Sequence, residues 1–178
     1  MIAMEKIVSP LAWAQVYALY RKAFPREERK PFSIIVNMHR KGKTDVWLLQ
    51  KDGRFAGFAT TINAENLILL DYLAVSEKMR GSGVGSAALH QLRTNYAGKG
   101  LFVEIESTCE KNAENPEERV RRKQFYTGNG MQPMNVFARV FGVEMELLGY
   151  DCTLDFAQYR EFYRTQYSEF AAKNILPV

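Results

Sequence analysis

The sequence predicts a mixed α/β (α+β) fold: a central, mostly antiparallel sheet flanked by helices, with one more helix at the C-terminal end. Three observations carry this. Val46–Gln50, Phe55–Ile62 and Leu67–Val75 are apolar runs joined by Asp52-Gly53 and by the polar turn 63–66, the pattern of an antiparallel meander. The third run passes through a charged connector, Ser76 to Arg80, into Gly81-Ser82-Gly83-Val84-Gly85-Ser86 and an amphipathic helix. A further strand, Leu101–Glu106, follows the helix-ending glycines Gly98 and Gly100.

The remaining elements follow in order. Met4–Val8 reads as a short edge strand. Ser9-Pro10 supplies a capping side chain and a first-turn proline, and Trp13, Val16, Tyr17, Tyr20 and Phe24 then recur at helical spacing. Pro25 stops that helix. A second helix is expected from Phe32 to about Arg40, with Ile35 and Met38 inward and Gly42 as its stop. The helix after the glycine turn buries Val84, Ala88, Leu89, Leu92 and Tyr96. On Leu101–Glu106, Phe102, Glu104 and Glu106 share one face. Asn115-Pro116-Glu117-Glu118 is a capped helix start, and Arg119, Arg122, Lys123 and Tyr126 share one face of that helix. Val136–Arg139 and Val143–Leu148 read as strands around Gly142. A last helix is expected over Phe156–Ala171, with an aromatic stripe of Phe156, Tyr159, Tyr163 and Phe170.

The chain has 178 residues, 47% hydrophobic and 12% aromatic, with a net charge of +4. This suits one domain over 1–178, with a helical C-terminal extension at about 153–174. No apolar run has bilayer length, no secretory signal is visible, and the two cysteines, Cys109 and Cys152, lack metal-ligand spacing. A cytoplasmic protein with reduced thiols, no membrane and no metal is expected. The charge suits an anionic ligand and is too small to indicate nucleic acid.

Strand, glycine-rich turn and helix start make a phosphate cradle, because the first N–H groups of a helix lack intrahelical partners and the helix dipole adds positive charge. A dinucleotide site is disfavoured: Ser76 to Arg80 separate strand from glycines, Ser86 stands at the third glycine position, and the meander is antiparallel. A nucleoside triphosphate loop would need a Gly-Lys-Ser/Thr that does not follow.

Arg80-Gly81-Ser82-Gly83-Val84-Gly85 resembles the signature of the GNAT superfamily of N-acetyltransferases: Arg or Gln, two residues, Gly, one residue, then Gly or Ala. The strand ending Leu73-Ala74-Val75 and the following helix–strand pair are in that family's order. Phe125-Tyr126-Thr127-Gly128-Asn129-Gly130-Met131 resembles its Phe-Tyr-x-x-x-Gly-Phe element, with Met131 for the final phenylalanine. The resemblance covers about residues 46–150. It implies a sheet with two splayed strands and acetyl-CoA (coenzyme A) as cofactor. Its pyrophosphate would lie on the main chain from Gly81 to Ser86 after Arg80, and its pantetheine arm along Leu73 and Val75. Arg122, with Arg119 and Lys123, is a candidate for the remaining phosphate; a solvated helix face explains these residues equally well.

Direct transfer from a thioester to an amine needs a neutral amine, donors for the developing oxyanion and a proton for the leaving thiolate. The resemblance assigns the donors to the main chain near Leu73 and Ala74 and the proton to Tyr126, a phenol protonated at neutral pH. For the base, Glu104 is preferred; Glu106, Asp71 and a water chain stay open, and Glu104 and Glu106 could equally serve only to recognise substrate or to pair with arginines. His39 and His90 read as surface or packing residues, and Cys109 as a buried thiol.

The segment Phe24–Phe32, FPREERKPF, resembles one in bacterial GNAT proteins of unassigned substrate. Glu27 and Glu28 would attract a cation, and Arg26, Arg29 and Lys30 an anion. With Glu104 and Glu106 added, a small cationic amine is favoured over a protein lysine, with a peptide N-terminus open. The C-terminal aromatic stripe is core or a homodimer contact. A non-catalytic acyl-CoA-binding module is the alternative to an enzyme.

Overall fold

Left-handed residues close the hairpins. The computed structural model describes residues 1–26 and 29–178, so Glu27 and Glu28, expected to attract a cation, lie outside the described residues. Asp52 and Gly53, at φ 51° and 73°, join β2 (Thr44–Lys51) to β3 (Arg54–Asn63). Phe141 and Gly142, at φ 48° and 93°, join β6 (Gln132–Val140) to β7 (Val143–Tyr150). Two successive positive φ values make the turn whose twist matches that of the strands it joins.

Cα packing divides the described residues into two compact units, Met1–Asn63 with Leu70–Asn95 and Ala64–Leu69 with Tyr96–Val178. The first holds β1 (Ile2–Lys6), α1 (Pro10–Ala23), α2 (Phe32–Arg40), β2, β3, α3 (Val84–Asn95) and all but the opening residues of β4 (Leu67–Val75). Its strand order is β1-β2-β3-β4. The first two pairs are antiparallel, and the three-residue connection 64–66 leaves β4 no other direction against β3. The edge strand starts and ends two residues earlier than the sequence suggests, because Ser9 caps α1, accepting from Ala12 N at 3.1 Å, and the chain leaves the ladder to reach it.

Alternation along β4 sends Tyr72 and Ala74 into one core with Val16, Tyr20, Ile35 and Phe58, and packs Leu73 and Val75 against another with Leu49, Ala56, Val84 and Ala88. Helices α1 and α2 therefore cover one face of this strand and α3 the other. Gly57 lets β3 approach β4: a Cβ there would lie 2.2 Å from Ala74 O. Gly57→Ala is expected to push β4 away and cost about 1–3 kcal/mol, read as a lower denaturant midpoint.

The second unit holds β5 (Gly100–Glu106), α4 (Pro116–Gly128), β6, β7, α5 (Phe156–Gln166), α6 (Glu169–Lys173), β8 (Ile175–Pro177) and the opening residues of β4. Its order is β5-β7-β6-β8, every pair antiparallel. α5 covers β5 through Phe102, whose ring meets Tyr159 at 6.4 Å and Phe162 at 5.1 Å.

Two expectations change here. The last helix is not continuous: Ser168 turns its hydroxyl to Ala171 N and starts α6, after which Ile175–Pro177 pairs with β6. Phe170 consequently leaves the stripe and is 71% exposed, whereas Tyr159 and Tyr163 are buried. β6 is also longer than expected, running through an irregularity between Pro133 and Phe137 that holds Asn135 at φ 57°. Among the described residues, no helix is long and apolar enough to cross a membrane.

Candidate active site

In the first unit, β4 ends at Val75, and a single 3-10 turn, Glu77–Met79, delivers Arg80 to the glycine turn. Gly81 and Gly83 stand at φ 71° and 83°, with no atom within 4 Å of where their Cβ atoms would be. A side chain at either position would strain the backbone and fill the open space before the turn. The Ala87 N to Gly83 O bond, 3.0 Å, is a first-turn bond of α3, so the N–H groups preceding Ala87 at the helix start have no intrahelical acceptor. Ser82 Oγ donates to Met79 O at 2.6 Å and braces the turn, while Val84 is buried and Gly85 and Ser86 face outward to varying degree. Arg80 is exposed, its Nε 3.4 Å from Val75 O.

One cation at this turn was not anticipated: Lys51 Nζ, from the end of β2, donates to Ser82 O at 3.2 Å. Only the register of the strands brings residue 51 to residue 82, so no local pattern announces it. On the same strand as Leu73, Asp71 pairs with Lys30 at 2.5 Å.

In the second unit, the two glutamates of β5 have different partners. Glu104 accepts from the hydroxyls of Tyr159, at 2.7 Å, and Tyr163, at 2.9 Å. Burial, then the Glu104 charge, push the Tyr159 phenol well above its ordinary range, so it stays a donor. Glu106 lies between two guanidinium groups, Arg119 at 3.0 Å and Arg122 at 2.8 Å. Each of its oxygens accepts from an arginine, whereas the oxygens of Glu104 accept from neutral hydroxyls. Asn115 does not cap α4 with its side chain; it accepts from Arg119 Nε at 2.8 Å and donates to Glu106 at 3.3 Å.

The basic face of α4 is thus largely turned to acids. Arg122 binds Glu118 as well as Glu106, and Lys123 binds Glu146 at 2.6 Å. Burial alone would raise the Glu146 carboxyl; the bonds from Lys123 and Thr108 outweigh it and hold the group below its usual range. Tyr126, one turn beyond Arg122, is buried, and desolvation pushes its phenol up to about 12 against the pull of the Arg122 charge. The histidines have packing and surface roles as expected: His39 contacts Thr44 O at 3.0 Å and the Trp13 ring, and His90 is exposed. Cys109 is exposed, not buried, because it stands in the turn after β5 rather than on it; both cysteines are free.

The model of the acetyltransferase (GNAT) family matches residues 13–120. The chain belongs to the GNAT acetyltransferase family. The matched segment contains the glycine turn and Glu104 and stops before Tyr126. Solved structures show the GNAT fold over nearly the whole chain. A protein assigned to the GNAT family from Bacteroides thetaiotaomicron superposes with a TM-score of 0.77 at 17% identity, covering 96% of this chain and 98% of its own. The ribosomal-protein-S18-alanine N-acetyltransferase of Escherichia coli gives 0.62 at 16% identity, covering 86% and 96%. A GNAT acetyltransferase from Elizabethkingia anophelis with acetyl-CoA bound gives 0.59 at 13%, covering 85% and 98%. No curated protein matches the chain significantly. GNAT membership carries acetyl transfer as the general chemistry.

Proposed function

We propose that this chain transfers an acetyl group from acetyl-CoA to a primary amine of a small molecule or peptide, directly and in a ternary complex, as one functional domain working in the cytoplasm. The observation that carries the reading is the glycine turn. Two left-handed glycines before α3 leave room for an oxyanion against main-chain N–H groups, in a chain of the GNAT family. The residues fit the cofactor: an anionic pyrophosphate suits Gly81–Ser86, and Lys51 beside Ser82 adds positive charge.

Acetyl-CoA, when bound, supplies the acetyl group as a thioester. On this reading Arg80 and Gly81–Ser86 hold the phosphates, and the main chain at Leu73 and Val75 holds the pantetheine arm. N–H groups near Leu73 and Ala74 are the donors to the carbonyl oxygen. Tyr126, kept protonated by burial, gives the leaving sulfur its proton. Glu104, whose two oxygens accept from the hydroxyls of Tyr159 and Tyr163, attracts the amine as a cation or takes its proton. Arg122 orders Glu106 first, and contributes to a phosphate only through what its ion pairs leave available.

The test is release of free thiol from acetyl-CoA across a panel of primary amines. Release that requires one of them, with the acetylated amine recovered, is the expected result. Tight coenzyme A binding with no release on any amine would instead establish a non-catalytic binding module.

A further inference from the structure

Lys30 ends the connection between α1 and α2, and its main chain is pinned on both sides. Tyr20 Oη donates to Lys30 O at 2.9 Å, and Lys30 N donates to Tyr72 Oη at 3.2 Å. From this fixed base the ammonium reaches Asp71 Oδ1 and lies 5.5 Å from the centre of the Tyr72 ring. The pair is asymmetric: the Asp71 side chain is 8% exposed and the Lys30 side chain 29%. A carboxylate buried to that degree needs a cation beside it. A lysine head on a flexible stem that reaches solvent is a cation that can leave.

The position of Asp71 gives the exchange a purpose. It precedes Leu73 by two residues on β4, so the two share a strand face about 7 Å apart. An amine seated on Asp71 therefore lies beside the main chain assigned to the thioester. A primary ammonium offers the same three donors and the same charge as the lysine head, and the ring adds a cation–π surface.

We propose that Asp71 and the Tyr72 ring form the subsite for the ammonium group of the acceptor, and that Lys30 holds it until an acceptor displaces it. The inference rests on the reading that the acceptor is a primary amine, and it narrows the class to amines that arrive as cations. The lysine is then a specificity device: a neutral or anionic amine cannot replace its charge on the buried carboxylate.

The probe is n-butylammonium chloride, titrated by NMR into the protein without acetyl-CoA, with butan-1-ol as the uncharged control. Lys30→Met is expected to bind the cation about tenfold more tightly than the wild type, because the competing internal cation is gone. Lys30→Gln, which keeps one N–H donor for Asp71 and so guards against misfolding, should move the same way by less. Asp71→Asn should abolish binding. In the wild type, the ε-CH2 signals of Lys30 should shift with butylammonium and not with butanol. Equal affinity in the wild type and both Lys30 variants, unchanged binding in Asp71→Asn, or unmoved Lys30 signals would each overturn the proposal. Binding is read without turnover, so a chain that binds butylammonium as expected but acetylates no amine would overturn the transfer reading alone.

Discussion

Tyr126→Phe is expected to lower kcat about 100-fold, within the range that one positioned acid contributes. The fold should be unchanged, because the ring stays and the hydroxyl is the only loss. The affinity for coenzyme A should also be unchanged, since the acid acts on the leaving sulfur and not on the phosphates. The pH profile supplies an independent check. Desolvation first, and Tyr150 to a smaller degree, raise the phenol to about 12, with Arg122 opposing. The group is protonated below that value, so the wild-type rate should show no alkaline limb from this residue up to about pH 10. An alkaline limb near neutral pH that vanishes in Tyr126→Phe would contradict the desolvated, protonated phenol. A Tyr126→Phe enzyme with full kcat, when chemistry limits the rate, would remove the residue from the mechanism.

The parts of this fold that were legible in the sequence are those fixed by neighbours in the chain. Leu67–Val75 is observed with those bounds, since a polar turn and a charged connector delimit an apolar run. Asp52-Gly53 forms the left-handed turn that only a few residue pairs tolerate, and Gly81 and Gly83 are left-handed where the cradle needs them. What was not legible depends on which distant elements become neighbours. Glu104 and Glu106 were placed on one strand face, but their partners lie on α5 and α4, up to 59 residues away. Lys51 reaches the glycine turn only through strand register, and Lys30 reaches Asp71 only once α1 and α2 have packed on β4. The break before α6 had a local signal, Ser168 followed by Glu169, that the continuing aromatic spacing masked: Phe170 falls in phase with Tyr163 yet points into solvent.

The ion pairs of Glu106 make the second large effect one of stability. Glu106→Gln is expected to cost about 3–5 kcal/mol, read as a fall in denaturant midpoint with unchanged slope. The substitution preserves shape and removes the charge between two guanidiniums. Arg119 suffers most, since its side chain is 7% exposed and water cannot replace the lost partner. Its remaining contacts are Asn115, the Ser107 carbonyl and Glu110, whose side chain is 36% exposed and therefore supplies a solvent-screened counter-charge in place of a buried one. Arg122 is 33% exposed and keeps Glu118. Arg122→Gln should therefore cost only about 0–1 kcal/mol, the range of a screened pair, while Arg119→Gln should approach the cost of Glu106→Gln. This ordering separates a buried ion pair from a general charge imbalance on α4. A charge imbalance would make the two arginine variants equal, whereas a buried pair makes them differ by several kcal/mol. The same ordering bears on catalysis: if Glu106 serves mainly to hold α4 through Arg119, Glu106→Gln should lose stability far more than it loses kcat at temperatures where it remains folded.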